Sequence, residues 1–205
     1  LDSTLPRNGA TPWDVFPYQP RIHLVLFVHR VTDLSPGVYI LLRREGIEEN
    51  LRVALQREHF EWIKLPNCPE HLSFYQLMTG DAQTVAQQIS CHQEIAADSA
   101  FSLGMLAEFE ESLKNGAWGY RRLFWEAGMV GQILYLEAEA VGVRGTGIGC
   151  YFDDAVHTLL GLTDRYYQSM YHFTVGTPLH DKRLQTLPPY RHLSKRGMGN
   201  GEFIL

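Results

Sequence analysis

The first regular pattern along the chain is a pair of apolar runs that predicts a β-hairpin. In RIHLVLFVHRV, residues 21–31, apolar side chains fall on both faces of an extended chain, which is typical of a strand buried on both sides. The turn residues TDLSPG and the apolar run VYILLRR follow it. Residues 22–43 are therefore expected to form two strands joined by a longer loop. Two later segments, 99–109 and 168–176, also predict strands.

Apolar side chains spaced three and four residues apart predict the helices. AQTVAQQISCHQ suits a helix capped by Asp81, and a further helix is expected around 50–58. The segment 120–142 is apolar nearly all round, so we expect its helix to be buried, either centrally or at a subunit interface. DDAVHTLLGL predicts a helix with Asp153 or Asp154 as its N-cap and with Gly161 just past its last turn.

Composition places the chain among ordinary globular proteins. It has 205 residues and a net charge of -5, without the clustered basic face that nucleic-acid binding requires, so no nucleic-acid partner is expected. No apolar run is long enough to span a membrane, and the N-terminus lacks the pattern of a signal peptide. Residues 1–20 contain four prolines and suggest an extended arm or linker. Residues 21–190 would form the domain, and 191–205 a tail that is frayed or reaches a partner. Because the first residue is Leu rather than Met, we expect a fragment or a processed chain.

The cysteine pattern indicates neither a disulfide framework nor a metal site. Cys68, Cys91 and Cys150 are odd in number and far apart, and neither CxxC nor HExxH occurs. Reduced thiols in the cytoplasm are therefore expected, with no metal.

The most unusual stretch is RGTGIGCYFDD, residues 144–154, which places three glycines two residues apart. It fits neither the dinucleotide fingerprint nor a phosphate-binding P-loop. Two interpretations remain open, a loop whose bare amides hold a phosphate and a plain turn. Arg144 and the pair Lys182 and Arg183 could add cations to such a phosphate site, or the pair is a solvated surface feature.

Several motifs, taken in order, resemble the C-terminal half of the FMN-dependent nitroreductase superfamily, and within it the SagB-type dehydrogenases. The strand region LVLFVHRVTDLSPGVYIL is also similar to that group's pattern. The matching positions are Glu126-Ala127-Gly128, Gln132, Val141-Gly142, Ile148-Gly149, Phe152-Asp153-Asp154 and Val175-Gly176-Thr177-Pro178. This resemblance implies an α+β fold, with a mostly antiparallel sheet flanked by helices. It also implies a homodimer, or a pseudo-dimer with another part of the same polypeptide.

The resemblance further implies an FMN site and a reaction. The glycine stretch would lie along the flavin through Gly147, Ile148 and Gly149, and Lys182 and Arg183 would hold the FMN phosphate. The activity would be that of an FMN-dependent oxidoreductase, such as azoline-to-azole dehydrogenation of a small molecule or peptide. Lys114 is then the candidate base.

The chain departs from the family pattern at informative positions. It lacks the family's first-helix Arg/Ser motif, and Asn115 stands where the Lys-Tyr pair has its tyrosine. Met129 replaces the family's histidine after Glu-Ala-Gly. Two alternatives therefore remain: a non-catalytic module that has lost FMN, and a general NAD(P)H-dependent nitro or quinone reductase.

Overall fold

The predicted hairpin forms the centre of an antiparallel sheet. The computed structural model describes residues 1–6, 11–55 and 57–194, and within these ranges seven strands pair in the order β3-β4-β2-β1-β5-β7-β6. The strands are β1 (Ile22–Val28), β2 (Gly37–Leu42), β3 (Ile63–Lys64), β4 (Ser73–Thr79), β5 (Phe101–Glu108), β6 (Arg144–Ile148) and β7 (Tyr167–Gly176). Every residue of β1 and β2 is buried, which confirms the hairpin and its double-sided burial.

Helices cover both faces of this sheet. They are α1 (Glu48–Ala54), α2 (Gln83–Ile89), α3 (Glu94–Asp98), α4 (Phe109–Leu113), α5 (Gly119–Ala140), α6 (Asp153–Leu160) and α7 (Arg191–Ser194). Alternate side chains of β1 divide the core into two layers, because successive residues of a strand point to opposite faces. One layer packs against α1, α2 and α6, and the other packs against α5. The α+β architecture expected from the sequence is therefore confirmed.

The helix ends follow the sequence signals with three corrections. The N-cap of α2 is Ala82 rather than the predicted Asp81, which lies one residue earlier and whose Oδ1 accepts a hydrogen bond from the Gln83 N–H at 2.9 Å. Gly161 ends α6 in the left-handed conformation, with φ 72°. The N-cap of α6 is Phe152, so both predicted aspartates lie in the first turn, where their charge faces the positive end of the helix dipole. The helix expected around 50–58 is instead α1, which ends at Ala54.

The predicted extended arm folds back onto the domain instead. It contains two short 3-10 helices, Asp2–Thr4 and Trp13–Val15. Trp13 is 6% exposed, and its ring lies 4.8 Å from the guanidinium of Arg43. Proline-rich sequence predicted the lack of regular structure, but the large apolar ring supplies the contact that holds the segment in place. Most of the predicted tail, from residue 195 onward, lies outside the described residues.

The prediction of reduced thiols is wrong for two cysteines. Cys91, just after α2, and Cys150, just after β6, form a disulfide with their Cα atoms 5.7 Å apart. Cys68 is a half-buried free thiol. The sequence separation of 59 concealed the pair, because only the folded sheet brings the end of α2 next to the end of β6.

A buried ion pair joins α5 to the hairpin. Arg43 and Glu126 are bonded to each other, and both are almost fully buried. The Glu126 carboxylate also accepts backbone N–H groups of Arg21 at 2.9 Å and Ile22 at 3.3 Å. These contacts satisfy a charge whose burial would otherwise be costly.

A second buried carboxylate, Glu108, lies at the end of β5. It accepts hydrogen bonds from Arg21 at 2.8 Å, from Arg44 at 2.7 Å and from His23 at 3.3 Å. Burial alone would raise the pKa of Glu108, but the hydrogen bonds from His23 and Arg44 outweigh it and hold that pKa below its usual value. Burial lowers the pKa of His23, so its imidazole is neutral at pH 7.

Within the described residues, no helix is both long enough and apolar enough to cross a membrane. The longest, α5, has 22 residues and exposes glutamates on one side.

Candidate functional site

The glycine-rich stretch, which the sequence suggested to be a loop, is mainly an edge strand. Its first five residues form β6, which pairs with β7 from Arg144 opposite Gly176 to Ile148 opposite His172. Glycine is rare in strands, so the pattern favoured a turn. The reason for glycine here is the neighbouring strand, whose large side chains cover β6.

Two of the glycines make room for aromatic rings. A Cβ on Gly145 would lie 2.7 Å from the ring of Phe173, and one on Gly147 would lie 2.7 Å from Tyr171 Cζ and closer still to its hydroxyl oxygen. The Gly147 N–H donates a hydrogen bond to Tyr135 Oη at 2.7 Å. Packing within the protein therefore explains both glycines, and the Gly147 amide is already bonded.

The third glycine is different. Gly149 follows the end of β6 and is exposed, and no heavy atom of the described residues lies within 4 Å of the position that a Cβ would take. Ile148 beside it points into the core at 2% exposure. The backbone at Gly149 is therefore open to the approach of a flat ligand. Gly147 fits one only if Tyr135 and Tyr171 move.

Sequence reasoning missed both tyrosines. Tyr135 lies on α5 and Tyr171 on β7, and the two side chains meet over Gly147. Large residues occur at every second position of this part of β7, at Tyr171 and Phe173. Glycines occur at every second position of the paired strand β6, at Gly147 and Gly145. That match of large against small residues was the available signal, but it is visible only once the pairing register is known.

The turn after Gly149 is held firmly by the segment that follows α2. The Phe152 N–H donates to Ile89 O at 2.9 Å, and Gln93 Nε2 donates to Cys150 O at 3.2 Å. Together with the disulfide, these bonds fix the turn. A rigid turn suits a binding site because little conformational freedom is lost when a ligand arrives.

A buried histidine supports the same turn from below. The ring of Tyr151 stacks on His172 with 4.5 Å between centroids. The imidazole nitrogens of His172 lie 3.2 Å from Ser90 Oγ and 3.0 Å from Ser169 Oγ. Burial lowers the pKa of His172 to about 4, so it is neutral at physiological pH. With both nitrogens bonded, its role in the described structure is to position Tyr151.

The predicted phosphate-binding pair follows β7 along the chain. β7 ends at Gly176, opposite Arg144 on β6, and Lys182 and Arg183 come six and seven residues later. Arg183 is exposed, and its guanidinium bonds both carboxylate oxygens of Asp181, which raises the Arg183 pKa.

The candidate base is fully exposed. Lys114 follows α4 and forms an ion pair with Glu111. The hydrogen bond that Lys114 donates to Glu111 raises the pKa of Lys114 above its usual value. The amine is therefore protonated at neutral pH in this arrangement, whereas a base must first lose its proton.

The comparisons with known proteins agree with this α+β fold, a mostly antiparallel sheet flanked by helices. A sequence profile of the Nitroreductase family matches residues 44–177, which is more than half of the chain. The chain therefore belongs to the Nitroreductase family. No curated protein matches the sequence.

Solved structures with a similar fold include two informative examples. A protein from Anabaena variabilis described as a nitroreductase is 21% identical with a TM-score of 0.57, covering 78% of this chain and 27% of its own. The E. coli microcin synthetase McbBCD complex, solved with truncated pro-MccB17 bound, is 19% identical with a TM-score of 0.55, covering 80% of this chain and 56% of its own. The chain thus spans between about a quarter and just over half of the length of these relatives. At these identities, the likeness shows the fold alone.

Proposed function

We propose that the chain forms part of an FMN-dependent oxidoreductase that dehydrogenates a heterocycle, as SagB-type enzymes convert an azoline to an azole. The observation that carries the proposal is the open, rigidly held backbone at Gly149 in a member of the Nitroreductase family. The likeness of fold to the microcin synthetase complex, which is bound to a peptide precursor in its structure, favours a peptide or small-molecule substrate.

In this proposal the chain's own residues bind and orient the cofactor. Ile148 and Gly149 would lie along the isoalloxazine ring, with Gly147 joining them if Tyr135 turns away. Lys182 and Arg183 would hold the phosphate. FMN, when bound, supplies hydride transfer, and the protein supplies orientation and proton transfer.

The test is flavin binding, compared between FMN and riboflavin. Purified protein should bind FMN, seen as flavin absorbance. Lys182→Ala and Arg183→Ala should each lower the affinity for FMN by about tenfold or more, which is the effect of losing a charged hydrogen bond. Riboflavin lacks the phosphate, so its affinity should change far less. Asp181→Asn should strengthen FMN binding, because it releases Arg183 from its present partner.

A matched control is Lys64→Ala, which removes a cation on β3 at the opposite edge of the sheet. It should leave the affinity for both flavins unchanged. An unaltered ratio of FMN to riboflavin affinity in both basic-residue variants would remove Lys182 and Arg183 from the phosphate site.

The proposed base makes a separate prediction about pH. If Lys114 accepts the proton, turnover of a heterocyclic substrate rises as the pH passes through the Lys114 pKa. Because Glu111 raises that pKa, Glu111→Gln should shift this limb of the pH–rate profile to lower pH. Lys114→Ala should abolish the limb, and Glu110→Gln, at an exposed neighbouring carboxylate, should leave it in place. Turnover that is unchanged in Lys114→Ala would show that another group is the base.

A non-catalytic module without FMN is the second candidate, and specific contacts favour it. The Gly147 amide is bonded to Tyr135, Lys114 is held protonated by Glu111, and Asn115 replaces the family's tyrosine. Protein that stays colourless when FMN is added would support this reading. A general nitro or quinone reductase is the third candidate function. Oxidation of NAD(P)H in the presence of a nitroaromatic compound would support it.

We also propose that α5 forms an interface with a second copy of the chain, or with another part of the same polypeptide. The sheet buries one side of this helix, but its other side exposes large apolar residues. Phe124 is 45% exposed, Trp125 is 53% exposed and Leu136 is 61% exposed. Several large apolar side chains exposed along one helix favour a protein–protein contact on that side.

The interface can be tested with one charge. The protein should sediment as a dimer at micromolar concentration, and Leu136→Glu should convert it to a monomer because a carboxylate would be buried without a partner. Val53→Glu, at a similarly exposed apolar residue of α1, is the matched control and should remain a dimer. A monomeric unmodified protein would contradict the homodimer.

We keep the cytoplasm as the proposed location. The bridge between Cys91 and exposed Cys150 would there meet a reducing thiol pool. Thiol titration of protein isolated from cells under acid quench would show its state.

A further inference from the structure

A cleft that the flavin proposal does not use lies between the N-terminal segment and the start of α5. Its volume is about 310 Å³, which is within the range of small-molecule sites. Residues 16–19 and Arg21 line one side, and Asn115, Gly119 and Arg122 line the other. The folding of the N-terminal segment onto the domain therefore creates this cleft.

Arg122 occupies an unusual position in the cleft wall. Its guanidinium carbon lies 3.7 Å from the ring centroid of Tyr18 and 4.0 Å from that of Trp118. The two rings hold the flat guanidinium by cation–π contact, which leaves its N–H edge available. Among the described residues, Arg122 has no hydrogen bond and no ion pair.

The acidic group at the base of the cleft is already satisfied. Glu126 is bonded to Arg43 and accepts the Arg21 backbone N–H at 2.9 Å. It is therefore not a free counter-ion for a cation in the cleft.

The remaining charges in the wall are also matched. Arg21 Nη1 donates to Glu108 Oε2 at 2.8 Å, and Glu111 forms its ion pair with Lys114. Of the charged residues that line the cleft within the described ranges, only Arg122 lacks a partner of opposite charge. A ligand with a single negative charge would give Arg122 a partner of opposite charge.

We propose that this cleft binds a carboxylate, with Arg122 as the residue that recognises it. A guanidinium fixed in plane donates two parallel hydrogen bonds to a carboxylate. The apolar body of the ligand would pack on Phe16 and Pro17, and the side-chain amides of Gln19 and Asn115 are placed in the wall to bond its polar atoms. The ligand is an organic acid with an apolar body, either a free small molecule or the C-terminus of a peptide. This inference does not depend on flavin binding.

The test uses paired probes that differ only in charge. N-acetyl-L-phenylalanine and a peptide ending in phenylalanine are each titrated as the free acid and as the amide, by calorimetry and by tryptophan fluorescence. The free acids should bind, and the amides should bind at least about tenfold more weakly, because they lose a charge-assisted hydrogen bond. Fluorescence should respond because the Trp118 ring contacts Arg122.

Variants then assign the effect to one residue. Arg122→Gln should lower the affinity for the free acids by about tenfold to a hundredfold. Arg122→Lys keeps the charge but not the planar guanidinium. Its affinity for the free acids should lie between that of Arg122→Gln and that of the unmodified protein. Arg121→Gln removes the neighbouring exposed charge and should have little effect. All three variants should remain folded, with Arg122→Gln unfolding at a modestly lower temperature than Arg121→Gln because it loses the cation–π contacts with Tyr18 and Trp118.

The outcomes separate the possibilities. A peptide acid that binds more tightly than N-acetyl-L-phenylalanine identifies a peptide terminus as the ligand, and equal affinities identify a small acid. Equal binding of acids and amides, an equal loss in Arg121→Gln and Arg122→Gln, or no binding of either acid would overturn the proposal.

Discussion

Replacing Arg43 with methionine is expected to lower the free energy of unfolding by about 3–5 kcal/mol, because the buried Glu126 carboxylate would lose its cation. Arg43 is 3% exposed and Glu126 is 1% exposed, so water could not replace the lost partner. The same change removes hydrogen bonds from Arg43 to the carbonyl oxygens of Thr4 at 2.8 Å and Ile22 at 2.9 Å. Denaturant unfolding followed by circular dichroism would measure the loss.

Two further variants make this test specific. Arg44→Met removes the adjacent arginine and should cost less than Arg43→Met, because the buried Glu108 keeps its hydrogen bonds from Arg21 and His23. The double variant Arg43→Met with Glu126→Gln should be more stable than Arg43→Met alone, since no charge is then left buried. Equal losses in Arg43→Met and Arg44→Met would contradict the buried-pair explanation.

Gly149→Val is expected to abolish FMN binding while the apo protein unfolds within a few degrees of the unmodified protein. The new side chain would occupy the space proposed for the flavin, and it meets no atom of the described residues within 4 Å of its Cβ. A surface change of this kind costs about 1 kcal/mol or less. Gly147→Val is the matched comparison, because its side chain would collide with Tyr171 and should destabilise even the apo protein by about 1–3 kcal/mol.

Thermal unfolding of the apo forms and FMN titration of each variant would separate these two effects. Gly149→Val that binds FMN normally would show that the flavin does not approach this residue. Gly147→Val with unchanged apo stability would show that Tyr171 moves away readily, and would make Gly147 available to the cofactor after all.

The sequence predicted those elements whose patterns are long and local. The hairpin of β1 and β2 and the helix α5 were predicted because burial on both faces and a sustained helical period leave little ambiguity. β3 was missed because it has two exposed residues, and β4 was missed because polar Ser73 and Gln76 interrupt its apolar pattern. Such strands depend on pairing with a neighbour, which a local pattern does not reveal.

The site was less predictable because its determinants come from distant parts of the chain. The glycines were recognised as a place of close approach, but what approaches two of them is Tyr171 and Phe173 of the same protein. The roles of Gly147, Ile148, Gly149, Lys182 and Arg183 remain predictions that flavin titration will test. That Arg122 has no ion pair among the described residues could not be predicted from the sequence, since it depends on which neighbouring charges are already paired in the fold.

The bridge between Cys91 and Cys150 has a topological consequence. It closes a ring of backbone that contains α3, β5, α4, α5 and β6, and the exposed segment around Lys114 lies within that ring. A protease that cuts the chain once at this segment would leave two fragments still joined covalently. The two fragments would separate only after the bridge is reduced. A gel run without a thiol reductant would therefore show one band at nearly the size of the intact protein, and a reducing gel would show two.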